Sequence, residues 1–192
     1  MRIAEIINDS TAEVKNHFSD IIFLTGCSKT CGYCFNKDLR DPKSGHDATI
    51  KEILNKMSKM SDVAVLTGGE PLEQDIEELI ICLRLYGKKV VLETSLYDPE
   101  IWKLCRKVLY SMKTFDPDYN ALSKLHLYDN VIPVVIIGHP WFNSNNFLKM
   151  LMTLKTNILV RYYNGNPCDL SVIYPRIKRF QKKFKVFEQV VL

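Results

Sequence analysis

Three cysteines, Cys27, Cys31 and Cys34, stand within eight residues of one segment. Thiols at this density are typical of metal ligands. Their C-x3-C-x2-C spacing differs from that of zinc ribbons, in which two C-x2-C pairs stand well apart. A [4Fe–4S] cluster normally takes four thiolates, so three thiolates from one tight loop would hold three irons and leave the fourth open to a small molecule. The spacing therefore favours a cluster with an open coordination position over structural zinc.

A second candidate segment is the turn Thr67–Pro71, Thr-Gly-Gly-Glu-Pro, which follows the apolar run Val63–Leu66. Two consecutive glycines permit close approach of the backbone and expose its N–H and C=O groups, and Glu70 adds a carboxylate that can hold an ammonium group. The turn alone is a weak signal. Its position one repeat downstream of the cysteine loop strengthens the prediction of a ligand site.

Both segments follow predicted strands, and the same alternation of strand, turn and helix recurs along the chain in about six βα repeats. Because parallel strands need crossovers, which helices supply, the pattern predicts an α/β fold with a parallel sheet. An eight-fold barrel takes about 250 residues, so 192 residues predict a partial (β/α)6 barrel in a single domain, with an open doubly wound sheet as the alternative. The predicted strands are 2–7, 20–25, 63–66, 89–92, 108–112, 132–137, 158–163 and 186–192, and the predicted helices are 50–60, 72–86, 98–106, 117–125, 144–154 and the basic segment Arg176–Lys185.

Ligands of either architecture bind beyond the carboxyl ends of the strands. We therefore expect the segments that follow the strands to meet at one rim. These segments are the cysteine loop, Gly68–Glu70, Glu93–Ser95, Gly138-His139 and Asn164–Asn166.

The two motifs together resemble the signature of the radical S-adenosylmethionine (radical SAM) superfamily, CxxxCxΦC with an aromatic residue at Φ followed by a Gly-Gly-Glu-Pro turn. The resemblance implies a radical SAM core domain over residues 1–192, with a partial (β/α)6 barrel, a [4Fe–4S] cluster and SAM. It implies that the unique iron binds the amino and carboxylate groups of SAM. The implied roles are cluster ligation by Cys27, Cys31 and Cys34, adenine contact by Tyr33 and by Ile136 or Ile137, contact with the methionyl ammonium by Gly68, Gly69 and Glu70, and ribose or carboxylate contact by Thr94 and Ser95.

The same resemblance implies one-electron cleavage of SAM to methionine and a 5′-deoxyadenosyl radical that abstracts a substrate hydrogen, with no catalytic residue beyond the cluster and SAM. The small size, the ending Cys34-Phe35-Asn36 and the Thr67–Pro71 turn are similar to the activating component of anaerobic ribonucleotide reductase. That similarity implies a glycyl radical enzyme as partner and a flavodoxin- or ferredoxin-type electron donor. One departure is Ser111-Met112-Lys113, where such activases often carry an acidic residue two positions before the lysine.

Two alternatives remain open at this point. A radical SAM enzyme with a small-molecule substrate, such as 7-carboxy-7-deazaguanine synthase, would use the same motifs, although that family usually ends its cysteine motif in Cys-Asp-Thr. A non-enzymatic iron–sulfur carrier or a zinc-binding module would use the cysteines, but a carrier has no need for the glycine turn.

Composition predicts an ordinary globular protein, with 46% apolar and 25% charged residues. We expect a cytoplasmic protein without a membrane helix, because no apolar run reaches the roughly 18 residues required. The basic segment Arg176–Lys185 is interpreted as a solvated helix face, so no nucleic-acid partner is expected. Among the remaining candidates, Cys82 and Cys105 are predicted core residues, His17 and His126 structural or surface residues, and Cys168 and His139 candidates for a role at the rim.

Overall fold

The computed structural model describes residues 1–14, 16–162 and 186–190. The chain divides into two compact units, the first formed by Met1–Thr30 and Cys34–Val108 and the second by Cys31–Tyr33 and Leu109–Leu192. The boundary thus separates Cys31 from the other two cysteines of the loop. Cys168, the turn Asn164–Asn166 and the basic segment Arg176–Lys185 lie outside the described residues.

The sheet of the first unit has the strand order β3-β1-β2-β4-β5. β2 pairs in parallel with β4, and β4 pairs in parallel with β5, with Ile22 opposite Leu66 and Leu66 opposite Leu92. β1 adds to β2 in the antiparallel direction, and β3 adds to β1 in the same way. The strands are β1 Arg2–Ser10, β2 Ser19–Leu24, β3 His46–Asp47, β4 Val63–Gly68 and β5 Lys89–Thr94.

The parallel strands of this unit are continuous apolar runs because both of their faces are buried, as parallel sheets covered by helices require. Leu66 and Leu92 are fully buried, and so are Leu79 and Leu83 of the neighbouring helix. The helices are α1 Ile50–Asn55, α2 Glu77–Leu85 and α3 Pro99–Leu104. Thr49 and Glu52 form a capping box at the start of α1, and Asp98 caps α3.

The second unit repeats the alternation of strand and helix. Its strand order is β6-β7-β8-β9, with β7 parallel to β8 and β8 parallel to β9. Phe147 and Met150 of its last described helix are fully buried, as is Ile137 of β7. The elements are β6 Lys107–Met112, which lies at the division between the units, α4 Tyr119–Lys124, β7 Val131–Ile137, α5 Ser144–Thr153, β8 Ile158–Tyr162 and β9 Val186–Val190.

The predicted strands and helices all occur where the structure describes the chain, but the helix predicted over 50–60 ends at Asn55, and one helix was predicted to begin too early. In place of a helix over 72–86, a short 3-10 helix at Pro71–Glu73 is followed by α2 from Glu77. The cause lies in Gln74, whose backbone is extended so that its side-chain amide can bond the backbone of Arg2 and Thr25. A tertiary requirement therefore overrides helical periodicity at this point.

No helix within the described ranges is long and apolar enough to cross a membrane.

Candidate functional site

The cysteine loop leaves the carboxyl end of β2 through Gly26, which has a φ of +92° that favours glycine. The N–H groups of Gly26 and Cys27 donate to the carbonyls of Leu39 and Arg40, at 2.8 and 3.0 Å. These carbonyls belong to a 3-10 helix, Lys37–Arg40, that follows the loop. Cys27 and Cys34, both of the first unit, are half-buried, so each side chain remains partly accessible.

The glycine turn is packed directly against the base of this loop. The Gly69 N–H donates to the Leu24 carbonyl at 2.8 Å, and the Glu70 N–H donates to the Gly26 carbonyl at 2.7 Å. A Cβ on Gly68 would lie 2.4 Å from the Leu24 oxygen, and one on Gly69 would lie 2.2 Å from the Gly26 oxygen. The glycine pair is thus required by the close approach of two strand ends, in addition to any ligand.

The Glu70 carboxylate is buried, with 3% of the residue exposed, and is held entirely by neutral donors. One oxygen accepts from the Thr94 hydroxyl and from the Leu72 N–H at 3.3 Å. The other accepts from the N–H and the hydroxyl of Ser95, both at 2.8 Å. No Lys, Arg or His within the described residues pairs with it, so a buried negative charge is fixed at the carboxyl ends of β4 and β5 without a protein counter-charge.

Glu73 and Gln74, which follow this carboxylate in the chain, form hydrogen bonds with the cysteine loop and its base. The Glu73 carboxylate accepts from the Ser28 N–H at 2.8 Å and from the Ser28 hydroxyl at 2.6 Å, directly after Cys27. Gln74 donates to the carbonyls of Arg2 and Thr25, each at 2.9 Å. These bonds therefore fix the backbone on either side of Cys27, at Thr25 and at Ser28.

Glu93 was predicted at the rim as part of the segment Glu93–Ser95, but the sequence analysis gave it no role of its own. It lies on the opposite face of β5 from Thr94, because successive residues of a strand point to opposite faces. It is half-buried, and the Thr67 hydroxyl donates to its carboxylate at 2.9 Å. An acidic residue immediately before the predicted Thr94 and Ser95 was the available signal.

The second unit holds Tyr33 in an aromatic cluster. The Tyr33 ring is buried and stacks on His139, with ring centroids 3.8 Å apart and planes inclined by 30°. Phe115 meets it edge to face at 6.1 Å, and the Lys113 ammonium lies 5.7 Å from the ring centroid. Stacking of this kind fixes the plane and position of the Tyr33 ring.

His139 and Trp141 complete this cluster around the segment Cys31–Tyr33. The backbone N–H of Trp141 donates to His139 Nδ1 at 3.1 Å. Burial lowers the pKa of His139 to about 4, which keeps the imidazole neutral near pH 7. A Cβ on Gly32 would lie 2.7 Å from the Trp141 indole, so the ring covers a position where a side chain would clash. His139, predicted as a candidate at the rim, is thus in contact with a predicted site residue.

The motif Ser111-Met112-Lys113 at the end of β6 lacks the expected acidic residue but still provides a partner for its lysine. Ser111 occupies the position at which an acidic residue was expected, and it accepts a hydrogen bond from the Lys113 ammonium at 2.9 Å. A neutral hydroxyl therefore takes the place of a carboxylate, and the positive charge of Lys113 is left uncompensated by that residue.

The remaining candidates have ordinary positions. Ile136 on β7 is half-buried, while Ile137 is fully buried. Cys105 is a core residue as predicted, and burial raises the pKa of its thiol to about 12. His17 bonds Asp62 at the surface, and His126 is exposed.

The donor set of the first unit suits a cationic ligand and a cluster. The N–H groups of Gly69 and Glu70 are used within the protein, so the turn offers carbonyl oxygens and a buried carboxylate, which are acceptors for an ammonium group. Among the described residues, no three His, Cys, Asp or Glu side chains converge to hold a single metal ion. A [4Fe–4S] cluster does not require such convergence, because each thiolate binds a different iron.

Comparison with known proteins places these features in one family. A profile of the radical SAM superfamily matches residues 21–137. A putative glycyl-radical enzyme activating enzyme of Methanocaldococcus jannaschii is 32% identical over 105 residues, which are 52% of this chain and 42% of that protein. The 7-carboxy-7-deazaguanine synthase of Rhodospirillum rubrum is 31% identical over 81 residues, which are 40% of this chain and 33% of that protein. The matches thus span less than half the length of these relatives.

Solved structures confirm the predicted fold. QueE from Escherichia coli superposes with a TM-score of 0.63 at 16% identity, over 98% of this chain and 93% of that one. SuiB from Streptococcus suis, solved with S-adenosylmethionine bound, gives a TM-score of 0.59 at 12% identity, over 90% of this chain and 52% of that one. At these identities the likeness concerns the fold, and the α/β partial barrel predicted from the alternation of strands and helices is the fold found.

Proposed function

Because the chain belongs to the radical SAM superfamily, whose cofactors are a [4Fe–4S] cluster and S-adenosylmethionine, we propose that it is the activating enzyme of a glycyl radical enzyme. Its substrate would be a backbone glycine of a large partner such as an anaerobic ribonucleoside-triphosphate reductase. The sequence similarity to a putative glycyl-radical enzyme activating enzyme over 105 residues carries this choice of substrate. The enzyme class itself follows from the family.

The cluster and SAM, when bound, supply a carbon-centred radical through one-electron reduction of the sulfonium, and the protein supplies binding and orientation. In this proposal Cys27, Cys31 and Cys34 hold the cluster. The burial of Glu70 supports a role for this residue at the methionyl ammonium. It has no counter-charge in the part of the chain that the structure describes, and a ligand cation stabilises a buried carboxylate of this kind. Thr94 and Ser95 then act through Glu70, by fixing both of its oxygens.

The aromatic cluster of the second unit supports a role for Tyr33 in seating the adenine. Its ring is already immobilised by His139, so little rotational entropy would be lost when a flat base packs beside it. Because His139 is neutral near pH 7, its ring adds no second positive charge beside that of Lys113 at this aromatic surface. Ile136 on β7 is the proposed aliphatic contact of the same base.

A second candidate function has a specific observation in its favour. Three relatives that match the chain with 31%, 34% and 32% identity are named 7-carboxy-7-deazaguanine synthases. A small-molecule substrate of that kind would use the same cluster and SAM site. The difference between the two candidates lies in what receives the radical.

The shared part of both candidates is tested by anaerobic reconstitution with iron and sulfide, followed by reduction and quantification of 5′-deoxyadenosine. We expect SAM cleavage by the wild-type protein, and loss of iron, sulfide and cleavage in Cys27→Ala. Cys82→Ala, which removes a half-buried thiol of α2, is the matched control and should keep all three. A reconstituted and reduced protein that never forms 5′-deoxyadenosine would refute the proposed chemistry.

The choice of substrate is tested in two parallel assays. Mixing the reduced protein and SAM with a co-encoded glycyl radical enzyme should produce the EPR doublet of a glycyl radical on the partner. Expression in a bacterium lacking 7-carboxy-7-deazaguanine synthase should leave that strain without deazaguanine. Restoration of the deazaguanine, with no radical on the partner, would favour the second candidate.

A further inference from the structure

A pocket of about 350 Å³ opens beside Cys27 in the first unit. Its walls include Cys27 and Ser28 of the cysteine loop, the side chains of Arg2 and Arg40, and Glu73. The pocket therefore connects a proposed cluster ligand with the protein surface.

The charges around this pocket are unequally compensated. Arg2 is held by the carbonyls of Pro42, Lys43 and Gly45 and pairs with the Asp47 carboxylate at 3.3 Å. Glu73 is occupied by Ser28. These two side chains form the frame of the pocket and have little capacity for a further partner.

Arg40 differs from both. Its carbonyl accepts from the Cys27 N–H, and the residue is half-buried. Its guanidinium pairs with no carboxylate among the residues that the structure describes. Lys37 and Lys43 are exposed in the same short segment, together with Asp38 and Asp41. The carboxylate of Asp41 bonds the backbone N–H of Lys43. The pocket edge therefore carries the positive charge of Arg40, a residue whose carbonyl is hydrogen-bonded to the N–H of the proposed cluster ligand Cys27.

We propose that this pocket is the docking site of the electron donor, an acidic one-electron carrier protein, and that a donor carboxylate seats on Arg40. The inference rests on the proposed function, because only a redox-active cluster needs such a partner. Redox encounters are small and transient, and complementary charges mainly raise their association rate. One electron leaves the donor, which is oxidised by one electron, and reduces the centre at Cys27; no bond is made or broken.

The proposal predicts an effect on a protein donor that a small reductant does not share. The probes are a purified acidic bacterial flavodoxin and photoreduced 5-deazariboflavin. In Arg40→Glu, the ratio of the flavodoxin-driven to the deazariboflavin-driven rate of cluster bleaching should fall roughly tenfold at low ionic strength. The Kd of the flavodoxin, measured through its flavin fluorescence without turnover, should rise by a similar factor. Arg40→Gln should show a smaller change in the same direction.

The matched control is Arg84→Glu, the same charge reversal on the exposed face of α2. It should leave both the ratio and the Kd unchanged, and high salt should abolish the difference between wild type and Arg40→Glu. An unchanged ratio in Arg40→Glu, or an equal fall in Arg84→Glu, would overturn the docking site. Failure of the proposed function is recognised separately, because neither reductant would then support SAM cleavage by the wild-type protein.

Discussion

Two buried carboxylates at opposite ends of the same sheet are held in different ways. At the amino end of β2, Asp20 is fully buried and receives the Lys88 ammonium at 2.8 Å, and Lys88 also donates to the carbonyls of Ser58 and Ser61. At the carboxyl end of β4, Glu70 is bound by hydroxyl and N–H donors, and by no cationic side chain of residues 1–14, 16–162 or 186–190. In the first network Lys88 neutralises the charge of Asp20, whereas no described side chain neutralises the charge of Glu70.

This difference separates a structural network from a ligand site by a physical criterion. A buried charge is costly unless it is paired, so Asp20 and Lys88 satisfy one another and need nothing further. The charge of Glu70 would be neutralised by a bound cation, which is why we propose that the ammonium of SAM binds there. Burial and the number of hydrogen bonds alone would not have distinguished the two carboxylates.

The largest effect should follow from breaking the complete pair. Lys88→Met removes the counter-charge and leaves Asp20 buried, which should lower the free energy of unfolding by about 3–5 kcal/mol. Lys89→Met, which removes an exposed lysine paired with Asp62, is the control and should change stability little. Urea unfolding measures both. Equal stability of the two variants would mean that the Asp20–Lys88 pair is not the structural network that we describe.

The next largest effect concerns ligand binding. Glu70→Gln removes the charge, and because an amide NH₂ must then face a backbone N–H, it should cost about 1–3 kcal/mol of stability. The affinity of the reconstituted protein for SAM should fall by a further 1.5–3 kcal/mol, or roughly tenfold to hundredfold. Equilibrium dialysis under conditions in which the variant is folded measures this affinity. If stability falls while the affinity for SAM is unchanged, Glu70 belongs with Asp20 as a structural residue.

The sequence analysis predicted more of the binding residues than of the contacts among them. The cysteine loop and the glycine turn were identified from their residue types and spacing after apolar strands, and the roles of Thr94 and Ser95 were implied by the family resemblance. That Thr94 and Ser95 bind Glu70 could not be predicted, because this depends on β4 and β5 being neighbours in the sheet. The Lys88 to Asp20 contact joins residues 68 positions apart and leaves no local pattern at all.

The glycine pair and Gln74 also make tertiary contacts that the local sequence pattern does not predict. Gly68 and Gly69 were interpreted as space for a ligand, whereas the structure shows that the Leu24 and Gly26 carbonyls already need that space. Helical periodicity over 72–86 was overridden by the bonds of Gln74 to β1 and to the cysteine loop. Local patterns predict elements well, and fail where a side chain is committed to a distant backbone.

A smaller effect should sharpen the role of the residues that hold Glu70. Ser95→Ala removes one hydroxyl donor but keeps the backbone N–H, so it should cost about 1 kcal/mol of stability and lower SAM affinity less than Glu70→Gln does. Ser123→Ala on α4, whose hydroxyl bonds the Asn120 carbonyl, is the control with no expected effect on SAM affinity. Thermal unfolding and the same dialysis assay measure the two quantities. A larger loss of affinity in Ser95→Ala than in Glu70→Gln would indicate that Ser95 binds the ligand directly.

The last effect concerns pH dependence and His139, a buried polar group that is accommodated by remaining neutral. Burial lowers its pKa in the folded protein to about 4, from the ordinary value of about 6.5. The unfolded state therefore binds more protons between these values, and the stability that depends on neutral His139 is complete above about pH 6.5 and is lost as the pH falls towards 4. His139→Phe keeps an aromatic ring for stacking on Tyr33 but cannot titrate.

The free energy of urea unfolding should therefore decrease between pH 7 and pH 5 more steeply in the wild type than in His139→Phe. The slope is informative even if His139→Phe is less stable at every pH, since it leaves the Trp141 N–H without its acceptor. His126→Gln, an exposed histidine of the same unit, should retain the wild-type slope. Identical slopes in the wild type and His139→Phe would show that His139 is protonated in the folded protein at pH 5. His139 would then carry a positive charge at pH 5, and its burial would not be what keeps the stacking partner of Tyr33 neutral.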